Sequence, residues 1–207
     1  MNLTENLEDC FEYEGKVFHL DMSFDNILKL LEMLEDDLFE KEEKLFIFLE
    51  MMILNFNVLV EDLTLEECIE IMNFIHSSFI KGEEKKRSNN TVDPVKLMDF
   101  KQDSGLIYSS FLMCYNMDLY EYHGKLHWDK FRELLTGLDE KTPFMKAVGF
   151  RQMSVPTSND VSQEYKNYVR KMKQFYALEV EEETSFNNAM RDTFNALKAI
   201  AKPKEGD

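Results

Sequence analysis

No GxxxxGKS/T, GxGxxG, GxSxG, HExxH or CxxC pattern occurs in the sequence, so the common signatures of nucleotide, hydrolase and zinc chemistry are absent. With 7 glycines and 4 prolines in 207 residues, phosphate-cradling loops and turn-rich β architectures are disfavoured. The three cysteines, Cys10, Cys68 and Cys114, are odd in number, far apart and set among apolar residues. They imply no disulfide framework and suit reduced, buried thiols. No run approaches 18 uninterrupted apolar residues, and the acidic start MNLTENLEDC lacks an apolar stretch, so neither a membrane span nor a signal peptide is expected. Basic residues are scarce early on: residues 1 to 80 hold 20 Asp and Glu against 4 Lys, and so carry the whole net charge of -16. A surface of that sign repels phosphate backbones, which argues against a nucleic-acid partner.

What is present reads as helix. The composition is globular, 44% apolar with 31% charged, and its 17 Phe and 13 Met favour repackable apolar surfaces. The expected fold is all-α, a multi-helix bundle, and the alternation of residues 11 to 20 around Glu14-Gly15 is compatible with one short N-terminal β-hairpin. Ser23 stands before the stripe Phe24, Ile27, Leu28, Leu31, Leu34 and Leu38, which predicts a capped amphipathic helix. Residues 42 to 56 are apolar almost all round and predict a helix covered on several sides. Thr64 to Glu67 is a capping box before Leu65, Ile69, Met72, Ile75 and Phe79.

Residues 81 to 93, KGEEKKRSNNTVD, are polar and free of aromatics, and the charge balance changes there. The expected organisation is an acidic N-terminal helical subdomain over 1–81, a linker over 82–93, a central helical hairpin plus a short helix over 94–155, and C-terminal helices over 156–207. In the central part Phe100, Ile107, Phe111 and Cys114 recur at helical spacing after Asp99, a good N-cap. Asn116-Met117-Asp118 breaks that helix. Trp128, Phe131, Leu135 and Leu138 form a second stripe, with Gly137 as the expected left-handed stop. Thr142-Pro143 starts another helix, bearing Phe144, Ala147 and Val148. Past Pro156, Val161, Tyr165, Tyr168, Val169, Met172 and Phe175 form a stripe expected to run to about Leu178. After the acidic residues 179 to 183, Phe186, Met190, Phe194, Leu197 and Ile200 form a last one.

The phrases DFKQDSGLIYSSFLMCYNMDL and GKLHWDKFRELLTGLDEKTPF, with RQM and SQEYKNYVRKMKQFYAL downstream, resemble the bacteriophage gp-fifteen family over roughly residues 15 to 180. That family is encoded in siphophage tail gene clusters near the tape measure gene. The resemblance implies a non-enzymatic tail assembly chaperone acting in the cytoplasm of the bacterial host, whose partners are the tape measure protein or other tail proteins. A structural component retained in the tail is the alternative in the same class.

The residues themselves offer two candidate chemistries. His123 and His127 are four apart, a spacing that lets two imidazoles share a metal on a helix, and a small metal-dependent enzyme built on them is the alternative of another class. Gly124 between them need not place both rings on one face. Asp99 and Asp103 are also four apart, but at a helix start unsatisfied amides and the dipole account for carboxylates without catalysis. His19 and His76 lie in apolar patterns and are expected to pack there. Lys85-Lys86-Arg87 reads as a solvated loop. No catalytic residue, cofactor or metal is therefore expected. Partner binding is assigned to Phe186, Met190, Phe194, Leu197 and Ile200, and a homo-oligomer is compatible with such a face.

Overall fold

The computed structural model describes residues 4, 6–7, 9–59, 63–81, 96–158 and 160–179. It is mostly helical, with one two-stranded antiparallel sheet among the described residues. The chain divides into two compact units. The first comprises the described residues up to Lys81 together with His123–Phe131; the second comprises those of Ser88–Tyr122 and Arg132–Glu182.

The first unit opens on the hairpin β1 (Cys10–Tyr13) and β2 (Lys16–His19), with Phe11 opposite Phe18. Glu14 and Gly15 have φ of 49° and 75°, the two positive values that a type I′ turn needs. Helix α1 (Phe24–Glu35) buries Phe24, Ile27, Leu30, Met33 and Leu34. It stops earlier than its pattern predicts: the amide of Asp36 bonds to the Met33 carbonyl, the Asp36 carboxylate accepts from the amide of Leu38, and Leu38 is 87% exposed. The buried Lys44 ammonium donates to the carbonyl of Leu34 at 2.8 Å, satisfying an acceptor at the negative end of α1.

Helix α2 (Lys41–Met52) buries Leu45, Phe48, Leu49 and Met52. It ends at Met52 instead of running to Phe56, because Ile53 leaves the helix to pair with Leu20 beyond the hairpin. A single-turn helix α3 (Phe56–Leu59) follows. Helix α4 (Leu65–Ile75) begins at the expected capping box: the Thr64 hydroxyl accepts from the Glu67 amide at 3.3 Å and the Glu67 carboxylate accepts from the Thr64 amide at 2.7 Å. Ile69, Met72 and Ile75 are buried, and a π turn over His76–Ile80 continues the helix.

His123–Phe131 completes this core from far along the chain. The amide of Phe24 donates to the Leu126 carbonyl and that of Trp128 to the Met22 carbonyl, at 2.9 and 2.7 Å. The amide of Gly124 donates to the Asp25 carboxylate at 2.8 Å, and the Phe131 ring stacks on Phe24 at 4.9 Å. Trp128 is buried as its stripe predicts. It stacks on Phe131 at 5.7 Å and its indole N–H donates to the Ile80 carbonyl at 3.2 Å, so it ties the start of its own helix to the end of the π turn.

The second unit is built on α5 (Ser104–Tyr115), the end of α6 (Trp128–Thr136), α7 (Pro143–Gln152) and α8 (Gln163–Phe175). Helix α5 starts after Asp103, not at Asp99. The Asp99 carboxylate caps a preceding turn, accepting from the amides of Lys101 and Gln102 at 3.0 and 2.8 Å. Asn116, in the left-handed region with φ 50°, ends α5 where the sequence predicts a break. Gly137 is not a left-handed stop; a Cβ there would come within 3.3 Å of the Tyr115 hydroxyl, which donates to the Leu134 carbonyl at 2.7 Å. Thr142 caps α7 ahead of Pro143, and the Ser110 hydroxyl accepts from the amide of Phe144 at 3.0 Å, tying α5 to the start of α7. Ile107, Phe111, Leu135, Leu138, Phe144, Ala147 and Val169 are buried. The α8 stripe differs from expectation: Val169 is its one buried member, while Tyr165, Tyr168 and Phe175 are 47%, 50% and 75% exposed and the helix ends at Phe175.

Candidate functional site

The two histidines do not form a shared donor pair on a helix. His123 and Gly124 precede α6, Gly124 has φ 67°, and the His123 ring meets Phe24 edge-on at 5.6 Å. His127 accepts the amide of Asp129 at Nδ1 (3.0 Å), so its proton sits on Nε2, which lies 2.8 Å from the Asp9 carboxylate. Among the described residues no three His, Cys, Asp or Glu side chains converge as metal ligands.

His127 also borders an open pocket of about 400 Å³, with Cys10, Glu12 and Asp129 among its polar walls and Phe11, Met22, Phe74 and Phe79 among its apolar ones. A thiol and an imidazole in one pocket suggest a nucleophile and its base. Nucleophilic activation needs a ring nitrogen free to take the thiol proton, whereas here one accepts an amide hydrogen and the other faces a carboxylate.

Asp99 and Asp103 serve structure. Asp103, buried, makes a forked ion pair with Arg151, Nη1 and Nη2 each 2.7 Å from a carboxylate oxygen, and also accepts from the amide of Asp99 at 3.0 Å. Arg151 further donates Nε to the Tyr176 carbonyl and Nη1 to the Leu97 carbonyl, at 2.6 and 2.9 Å. One guanidinium therefore holds three segments of the second unit. Lys173 donates to the carbonyls of Phe150, Arg151 and Met153, closing the C-terminus of α7. Burial pushes the Asp99 carboxyl up, but the Gln102 amide and Lys96 outweigh it and hold the group below its ordinary value.

Two further expectations change. Of the thiols, only Cys68 is buried; Cys10 and Cys114 are exposed. His19 is exposed on the hairpin instead of packed. The stripe Phe186, Met190, Phe194, Leu197 and Ile200 lies outside the described residues.

What the described residues do offer is open apolar surface in the second unit. On α5, Leu112 is 43% and Met113 64% exposed, and Cys114 is exposed beside them. The ring of Tyr120, 72% exposed in the 3-10 turn Leu119–Tyr122, meets Tyr108 at 5.5 Å. Burial, then the Asp118 carboxylate, raises the Tyr108 phenol above its ordinary pKa. Sequence periodicity missed this patch, since Tyr108 and Leu112 share a helix face but Tyr120 joins them only through the turn at Asn116. No helix among the described residues is long and apolar enough to cross a membrane.

A family model described as Bacteriophage Gp15 protein matches residues 3–178 of the chain. No curated protein and no solved structure matches it.

Proposed function

We propose that this chain, which belongs to the bacteriophage Gp15 family, is a non-enzymatic tail assembly chaperone that holds a helical segment of the tape measure protein in the host cytoplasm. The observation that carries the reading is the open face of Leu112, Met113 and Tyr120 beside Tyr108. An amphipathic helix laid on such a face buries its own apolar stripe and this one together, at about 25 cal/mol per Å². The flexible thioether of Met113, next to Leu112 at the edge of this face, lets the surface repack against successive turns of a long partner.

The test is co-expression with the tape measure protein. Co-purification is expected, Met113→Asp should abolish it with an unchanged thermal midpoint, and alkylation of Cys114 should slow in the complex. The chain should also be missing from purified mature tails by mass spectrometry. Co-purification that survives Met113→Asp, or a stoichiometric copy number in finished tails, would overturn the reading.

A further inference from the structure

Two exposed surfaces of this chain carry opposite charge and matching apolar anchors. Helix α8 holds Lys166, Arg170, Lys171 and Lys173 against the single acid Glu164, in a chain whose net charge is -16. Its exposed Tyr165 and Tyr168 continue a run of rings: Tyr168 meets Phe150 of α7 at 6.0 Å, Phe150 stacks on Tyr176 at 5.8 Å, and Tyr176 meets Phe175 at 4.9 Å. Tyr168, Lys171 and Phe175 follow at i, i+3 and i+7, so the cation stands within the aromatic strip. Lys173 is committed to the α7 carbonyls, which leaves Lys171 as the exposed ammonium of this face.

The second surface is the connection between α1 and α2 and the first turn of α2, residues 36–43, DDLFEKEE. It has five carboxylates against Lys41, and between them Leu38 is 87% and Phe39 38% exposed. Leu38 and Phe39 are thus an adjacent apolar pair set between carboxylates.

We propose that the aromatic face of α8 docks residues 36–43 of a second copy of this chain, with Leu38 against Tyr168 and Phe175 and the loop carboxylates around Lys171. Charge complementarity selects this occupant. Exposed tyrosines beside Lys and Arg also suit stacked nucleobases. Net charge opposes a phosphate backbone and a second copy alike, so the choice rests on the local match, in which residues 36–43 bring the apolar anchors Leu38 and Phe39 between their carboxylates and a phosphate backbone brings none. The contact is heterologous, since each copy presents one loop and one α8 face, so association need not stop at a closed pair. This inference stands apart from the tape measure reading, which uses α5.

The experiment is sedimentation velocity of the full chain across a range of concentrations at a fixed physiological salt, which screens the repulsion between two chains of -16. The average mass should rise with concentration. Leu38→Asp and Phe175→Asp each change an exposed side chain and should leave the circular dichroism and thermal midpoint unaltered while weakening association about tenfold or more. Each variant keeps the face that the other has lost. An equimolar mixture of the two should therefore regain a one-to-one complex that neither forms alone. A monomeric wild type at every concentration, association unaffected by both changes, or a mixture that stays monomeric would overturn the proposal. So would nucleic acid bound to the wild type and released by Phe175→Asp, or association that appears only when residues 180–207 are removed, which would assign the face to the chain's own tail.

Discussion

Removing the charge of Asp103 should strongly destabilise the second unit. The Asp103 side chain is 2% exposed and that of Arg151 7%, so neither partner can turn to water when the other is lost. Asp103→Asn preserves shape but leaves a buried guanidinium without the carboxylate it is forked onto, and breaking a buried pair in this way costs about 3–5 kcal/mol. Against a total stability of roughly 5–15 kcal/mol for a domain, that is a large fraction. With a urea dependence of about 1–3 kcal/mol per molar, the midpoint should fall by roughly 2 M. Arg151→Lys should also destabilise, because one ammonium cannot fork onto Asp103 while reaching the carbonyls of Leu97 and Tyr176. The double change Asp103→Leu with Arg151→Met should cost clearly less than the sum of Asp103→Leu and Arg151→Met made singly, since no charge is left buried. Urea unfolding followed by far-UV circular dichroism measures all six proteins. A midpoint for Asp103→Asn within error of wild type, or strictly additive losses, would show that the guanidinium reaches solvent and that the clasp is unimportant.

Trp128→Ala should destabilise the first unit by about 3–5 kcal/mol, through the cavity left, the lost stacking on Phe131 and the lost indole bond to the Ile80 carbonyl, and a thermal midpoint equal to wild type would refute its anchoring role. Acid should destabilise the fold through carboxylates that sit below their ordinary values. The Thr64 amide lowers Glu67; for Asp25, burial pushes the group up but the Gly124 amide and Lys29 outweigh it. A lowered folded pKa contributes stability that is complete above the unfolded carboxylate pKa and is lost as pH falls through the folded one. The thermal midpoint should thus hold down to the ordinary carboxylate range and drop below it, and Asp25→Asn should shrink that drop; a midpoint rising with acid would contradict the assignment.

Signals confined to a few neighbouring residues were legible in the sequence. Thr64 with Glu67, Thr142 before Pro143, Asn116 at a helix end and the Glu14-Gly15 turn each depend on their own backbone, and each appears where the pattern places it. Element ends set by distant partners were not. Ile53 leaves α2 for Leu20, and Asp103 spends both carboxylate oxygens on Arg151, 48 residues on. The same distance effect hides the partners of Trp128, because helical periodicity says which residues share a face and nothing about which neighbour covers it.

Helices α1 and α8 make the functional consequence of that limit concrete. Both carry aromatic and aliphatic residues at helical spacing, and a window of sequence treats them alike. Yet α1 buries five of its side chains while α8 buries Val169 alone, leaving two tyrosines and a phenylalanine in water on a helix with a single acid and four basic residues. The basic residues keep such a face soluble, so the helix tolerates what an uncharged stripe would not. On the two proposals made above, such a face, held open and made soluble by charge, would store binding energy until its partner arrives. The adaptable side chain of Met113 on α5 would then suit a helix of varying sequence, and the rigid rings of α8 with Lys171 one particular surface.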